Sequence, residues 1–187
     1  TYTDQFNYNV GTSFSAPIVS SVAALMLSVN GNLSSAQVTA RLREGATAYP
    51  APPAGIPLCR EPAGPNDLQS SECACSASTC GAGMVNAVGA VRAARRPIAA
   101  VALPASVSAG QNFTLQGGVS AASCGRSLGS YAWTVVDAGT GGAIVSGANA
   151  ATVQAVAPTA GTLRLRLTVT DNTGATDVAE VNVSTTA

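Results

Sequence analysis

Gly11-Thr12-Ser13-Phe14-Ser15-Ala16-Pro17-Ile18-Val19-Ser20-Ser21-Val22-Ala23-Ala24-Leu25-Met26-Leu27-Ser28-Val29-Asn30-Gly31 opens on a glycine–hydroxyl turn and runs on as an apolar stretch closed by glycine. Pro17 near the start and Gly31 at the end predict a helix from about Ser15. Its faces are all apolar or small, so such a helix requires burial on every side. The turn before it has the shape that a serine nucleophile needs. Gly11 permits a tight bend, the hydroxyl is exposed there, and the helix N-terminus offers its positive end to a developing oxyanion.

The rest of the composition narrows the chemistry. The chain has 187 residues, nine Arg, no Lys, nine acidic residues and no His. Without an imidazole, no His-dependent catalytic apparatus can be completed within it. A formal charge of zero argues against nucleic acid or an anionic membrane surface as partner. The longest apolar candidate, Ala16 to Val29, is broken by Ser20, Ser21 and Ser28 and falls short of the roughly 20 residues of a membrane span. There is no initiator Met and no signal-peptide pattern at Thr1. The expectation is therefore the back portion of something longer, with any export signal upstream.

Two halves differ in period. Up to about Arg96 the pattern is helical. Ser34 and Gln37 form a capping box, Leu33 and Val38 have the spacing of a hydrophobic staple, and the helix they start should end at Gly45. Residues 50–83 are rich in Pro, Gly, Ser and Cys and read as a long stapled loop. A third helix is expected near Met84 to Arg95, with Met84, Val88 and Val91 on one face and Arg92, Arg95 and Arg96 in its last turn, ended by Pro97.

After Pro97 the period becomes two. Phe113-Thr114-Leu115, Tyr131 to Val135 and Leu163 to Val169 alternate, and Val178, Val181 and Val183 belong to a last strand. Seven or so short strands suggest an antiparallel β-sandwich. Tyr131 and Trp133 share a strand face expected to be core, whereas Arg164 and Arg166 read as a solvated stripe. With so few aromatics, a spacer or weak protein-contact module is a better reading than a polysaccharide-binding one.

Four of the five cysteines lie between Cys59 and Cys80, which points to an oxidising compartment. Cys59, Cys73, Cys75 and Cys80 allow three pairings. Cys75 with Cys80 closes a short hairpin and leaves Cys59 with Cys73, and this pairing is preferred. A four-thiolate zinc site would lack paired Cys-x2-Cys spacing and any His, so no metal ligand is assigned. Cys124 is left over as a buried free thiol or one paired elsewhere. Asn32, Asn112 and Asn182 fit glycosylation sequons and are read as chance matches.

The segment Gly11-Thr12-Ser13-Phe14-Ser15-Ala16-Pro17 resembles the active-site serine segment of the subtilisin-like serine peptidases (subtilases, peptidase family S8), not the Gly-x-Ser-x-Gly elbow of α/β-hydrolases. Cys80-Gly81-Ala82-Gly83-Met84-Val85-Asn86-Ala87 is similar to the end of their catalytic domain. Ser21 departs from the family, which usually has Gly or Ala there. Ser130 to Val135 and Leu165 to Ala175 are similar to PKD and related immunoglobulin-like modules. The resemblance implies that Ser13 is the nucleophile and a backbone oxyanion donor, with Thr12 supporting. In this family the triad runs Asp, His, Ser along the chain, so acid, base and oxyanion-hole Asn would all lie upstream. Asp4, Asn7 and Asn9 are too close to the serine for those roles.

The resulting expectation is an α/β fold class for residues 1–96, the C-terminal and here helical part of a three-layer subtilisin-like catalytic domain. Residues 97–187 would form an all-β Ig-like/PKD sandwich. The whole enzyme would be a secreted endopeptidase acting through an acyl-enzyme on protein or peptide substrates, while this chain alone would be inactive. Its partner would be the upstream part of the catalytic domain. No cofactor is expected in this chain, and no carboxylate cluster marks a calcium site. The alternative is a non-catalytic shed or truncated tail whose sandwich serves for substrate binding or spacing.

Overall fold

The computed structural model describes residues 12–67 and 72–185. They divide into two compact units. The first contains the described residues to Val29 together with Leu33–Ala94, and the second contains Asn30–Asn32 with Arg95 onward.

The first unit is helical. A single 3-10 turn, Thr12–Phe14, leads directly into α1, Ser15–Val29. α2 spans Ser35–Glu44 and α3 spans Ala87–Ala94. The capping box forms as expected: Ser34 Oγ accepts from Gln37 N–H, and Gln37 Oε1 accepts from Ser34 N–H at 2.9 Å. Gly45 ends α2, its N–H donating to Arg41 C=O at 3.0 Å. The serines inside α1 do not interrupt it, because Ser20 and Ser21 donate back to the carbonyls of Ala16 and Pro17.

α3 differs from expectation in start and in face. Met84 is not helical; it forms an antiparallel bridge with Thr47, N–H to C=O in both directions at 2.9 and 2.8 Å. The helix begins after Asn86, whose Oδ1 accepts from Gly89 N–H at 3.0 Å in the manner of an N-cap. Met84 and Val88 are exposed, while Ala90, Ala93 and Ala94 are buried. The small face wins because α2 and α3 meet backbone to backbone. A Cβ on Gly89 would overlap Gly45 C=O, and one on Gly45 would overlap the Gly89–Ala90 peptide. Only Arg92 of the three arginines lies in the last turn of α3.

The second unit is a sandwich of two antiparallel three-stranded sheets, and it supports the expected fold class. β1 (Asn112–Gln116), β4 (Thr152–Val156) and β3 (Ala143–Ser146) form one sheet in the order β1-β4-β3. β2 (Leu128–Asp137), β5 (Thr162–Asp171) and β6 (Thr176–Ser184) form the other in the order β2-β5-β6. Six strands stand among the described residues where seven or so were expected. The segment 98–102 forms no strand; it is held by single bridges, Ile98 to Ala121 and Ala102 to Gln116, and by hydrogen bonds from Ala99 N–H to the Asp177 carboxylate and from Ala100 N–H to Ser120 Oγ.

The core lies between the sheets. Alternate residues of β5, Leu163, Leu165, Leu167 and Val169, are fully buried against Leu115, Val153, Ala155, Trp133, Val181 and Val183. Trp133 is buried with its indole N–H donating to Ala150 C=O at 3.0 Å, and Tyr131 packs against the same core. Arg164 and Arg166 face outward, Arg166 pairing with Glu180 across the β5–β6 ladder. Cys124 is an exposed free thiol, not a buried one, because its polar loop lies outside the two-sheet core. No helix among the described residues is long and apolar enough to cross a membrane.

Candidate functional site

Ser13 sits in the middle of the 3-10 turn, two residues before α1, and is exposed. The first four N–H groups of a helix lack intrahelical acceptors, and the aligned peptides of α1 place partial positive charge at that end. A hydroxyl held there is open to solvent and beside donors suited to an oxyanion. Thr12 lies in the same turn. Gly11, Asp4, Asn7 and Asn9 lie outside the described residues, and so does Thr1. No imidazole exists anywhere in the chain to deprotonate Ser13.

The helix behind this serine is mostly bare. Of its 15 residues only Val22 and Met26 are buried. Ile18 is 56% exposed and Leu25 52% exposed, and their spacing of seven puts them on one stripe. Phe14, Val19 and Leu27 are exposed as well. The sequence requirement for burial all round is thus met on one side only, the side facing α3.

Beside that side lies a cleft of ≈ 590 Å³, bordered by Ile18 and Val19 of α1, Leu42 of α2, Tyr49, Met84 and Val85. Ser15 reaches its edge, but Ser13 is not among the lining residues. The described lining of the cleft is mainly apolar, with Arg43 and Tyr49 the titratable side chains among it.

The loop at the far wall of the cleft is cross-linked. Cys59 pairs with Cys73 and Cys75 with Cys80. Leu58 and Ala74 form a parallel bridge between the two cysteine-bearing segments. Tyr49 Oη donates to Cys80 C=O at 2.8 Å, tying the loop to the end of α2. Arg60 pairs with Asp67, which also accepts from Ala63 N–H at 2.7 Å; the Arg60 hydrogen bond and then the Ala63 one hold the Asp67 carboxyl well below the usual carboxylate range.

Sequence reasoning missed a buried cation. Arg41 is 4% exposed, and its guanidinium donates to the carbonyls of Ala93 and Ala94 at 3.2 and 3.3 Å. It satisfies the C-terminal carbonyls of α3, where a positive charge complements the helix dipole. An arginine in the last turn of α2 reads from sequence as a solvated residue; its spacing of four from Gly45, which touches α3, puts it on the α3 side.

Two parts of the chain are separately similar to known families. Residues 1–83 match the family model described as Subtilase family, and residues 104–185 match that of the K319L-like PKD domain. The solution structure of the PKD domain from KIAA 1837 protein is similar at 21% identity, covering 45% of this chain and 91% of that one with a TM-score of 0.35. No curated protein matches the chain. Each family match covers less than half of the chain: residues 1–83 are similar to the subtilase family and residues 104–185 to a PKD domain.

Proposed function

We propose that this chain is the nucleophile-bearing portion of a subtilisin-like serine endopeptidase with a PKD module behind it. The observation that carries the reading is Ser13, exposed in a turn at the N-terminus of α1 within the segment that matches the subtilase family. In the whole enzyme Ser13 Oγ attacks the scissile carbonyl of a protein or peptide substrate. The Ser13 proton passes to an upstream His that an upstream Asp orients, and the Ser13 N–H donates to the oxyanion as the acyl-enzyme forms. Thr12 supports the turn. No cofactor is called for in this chain, and structural calcium belongs to the full-length enzyme if anywhere. The paired cysteines support an extracellular location.

A fluorophosphonate probe tests this. Full-length protein is labelled at Ser13, and Ser13→Ala abolishes the label. A folded full-length protein that stays unlabelled overturns the reading in favour of a non-catalytic tail. The 187-residue chain by itself stays unlabelled, since it holds no base for the serine.

A further inference from the structure

The two disulfides are neighbours, not separate staples. The sulfurs of Cys59, Cys75 and Cys80 lie within 4.8 Å of one another, and Cys73 is bonded to Cys59. The backbone brings these positions together without help from sulfur. Cys59 N–H donates to Ala74 C=O at 2.9 Å and Ala74 N–H to Pro57 C=O at 2.8 Å, which sets Cys59 against the residues flanking Ala74, namely Cys73 and Cys75. Cys80 N–H donates to Ser76 C=O at 2.9 Å and turns the last cysteine back on the first three.

Thiolates around a tetrahedral zinc ion, each about 2.3 Å from the metal, are about 3.8 Å apart. The Cys59 sulfur lies within 4.8 Å of those of Cys75 and Cys80, so once both bridges are reduced each bonded pair needs only to part to that spacing. We propose that, once both bridges are reduced, Cys59, Cys73, Cys75 and Cys80 form a four-thiolate zinc site. The same four residues would then close the loop through sulfur–sulfur bonds in oxidising surroundings and through a metal in reducing ones.

The chemistry balances with a dithiol as reductant. Each disulfide accepts two electrons and two protons and becomes two thiols, while the dithiol leaves as its own disulfide. Four thiols then lose four protons to water as their thiolates bind Zn²⁺, a metal well suited to soft sulfur ligands.

The test uses the full chain with Cys124→Ser, so that only these four thiols remain. It is reduced with a dithiol, freed of reductant without air, and titrated with Co²⁺ and then Zn²⁺. The expected result is one Co²⁺ per chain with thiolate charge-transfer and tetrahedral d–d bands, displaced by one Zn²⁺, after which the thiols react slowly with a thiol reagent. Losing two ligands in Cys59→Ser/Cys75→Ser should weaken binding by more than roughly a hundredfold, the upper cost of losing a mere outer-shell partner. Trp133 fluorescence follows the second unit, which contains no disulfide and should stay folded throughout. A chain with a folded sandwich that takes up no metal at one per chain overturns the proposal. So does a complex whose affinity survives the double substitution.

Discussion

The carboxylate of Asp171, fully buried at the end of β5, accepts a hydrogen bond from the guanidinium of Arg126 at 2.7 Å. Its other oxygen accepts from Thr173 N–H, Thr173 Oγ1 and Ala175 N–H at 2.8, 2.7 and 3.0 Å. One side chain therefore fixes both the β5–β6 turn and the 123–127 loop. Burial pushes its pKa up, but the hydrogen bonds from Thr173, Arg126 and the turn backbone outweigh it and hold the value at about 2, below the ordinary 3.8.

Because the folded value is depressed, the stabilisation is present above pH 3.8 and is lost as pH falls through about 2. A shift of this size corresponds to something on the order of 2 kcal/mol. Acid titration of the second unit followed by Trp133 fluorescence should show a loss of stability over that window. Asp171→Asn should flatten the pH dependence and lower stability at pH 7 by roughly 3 kcal/mol, since Arg126 is left without its counter-charge.

Arg41→Met should destabilise the first unit by about 2 kcal/mol, because the Ala93 and Ala94 carbonyls lose a charged donor in a buried setting. Hydrogen exchange in α3 should rise more than in α2. Equal protection of α3 in the variant would refute the capping role.

Gly89→Ala offers a sign test. On helix propensity alone, the change should stabilise α3 by up to about 1 kcal/mol. The backbone of Gly45 stands where the new Cβ would go, so the expected outcome is destabilisation by roughly 1–3 kcal/mol, read from a urea midpoint. Gly64→Ala, with open space around it, serves as the control.

The exposed stripe of α1 should make the isolated chain self-associate and bind a hydrophobic dye. Ile18→Glu/Leu25→Glu should reduce both, measured by light scattering and dye fluorescence, while leaving the melting of the sandwich unchanged. Unaltered dye binding would show that the exposed surface lies elsewhere.

Local signals in the sequence were reliable where the physics is local. The Ser34–Gln37 capping box and the Gly45 stop are satisfied by neighbours in the chain, and both formed. The alternation of Leu163, Leu165, Leu167 and Val169 named the central core strand, because a period of two places every second residue on one sheet face. What the sequence hid depends on partners distant in the chain. Val88 looked like a core residue of α3, but the approach of Gly45 to Gly89 selected the alanine face instead. Nothing local marks Arg41 or Asp171 as buried; Arg41 is buried against the carbonyls that end α3, and Asp171 against Arg126 and its own turn. At the candidate site, Ser13 was legible from its motif. The Asn86 cap, three residues before Gly89, could have been read from spacing and moved the start of α3.

The cross-linked loop between α2 and α3 has no buried residue among those described from Leu42 to Gly89, so peptide bonds along it are open to attack. A nick between Cys59 and Cys73, or between Cys75 and Cys80, breaks one peptide bond and leaves both new ends joined through sulfur. Within the two spans 59–73 and 75–80 of this open stretch, a cut does not part the chain. Damage there would pass unnoticed on a non-reducing gel and appear as two fragments only after reduction.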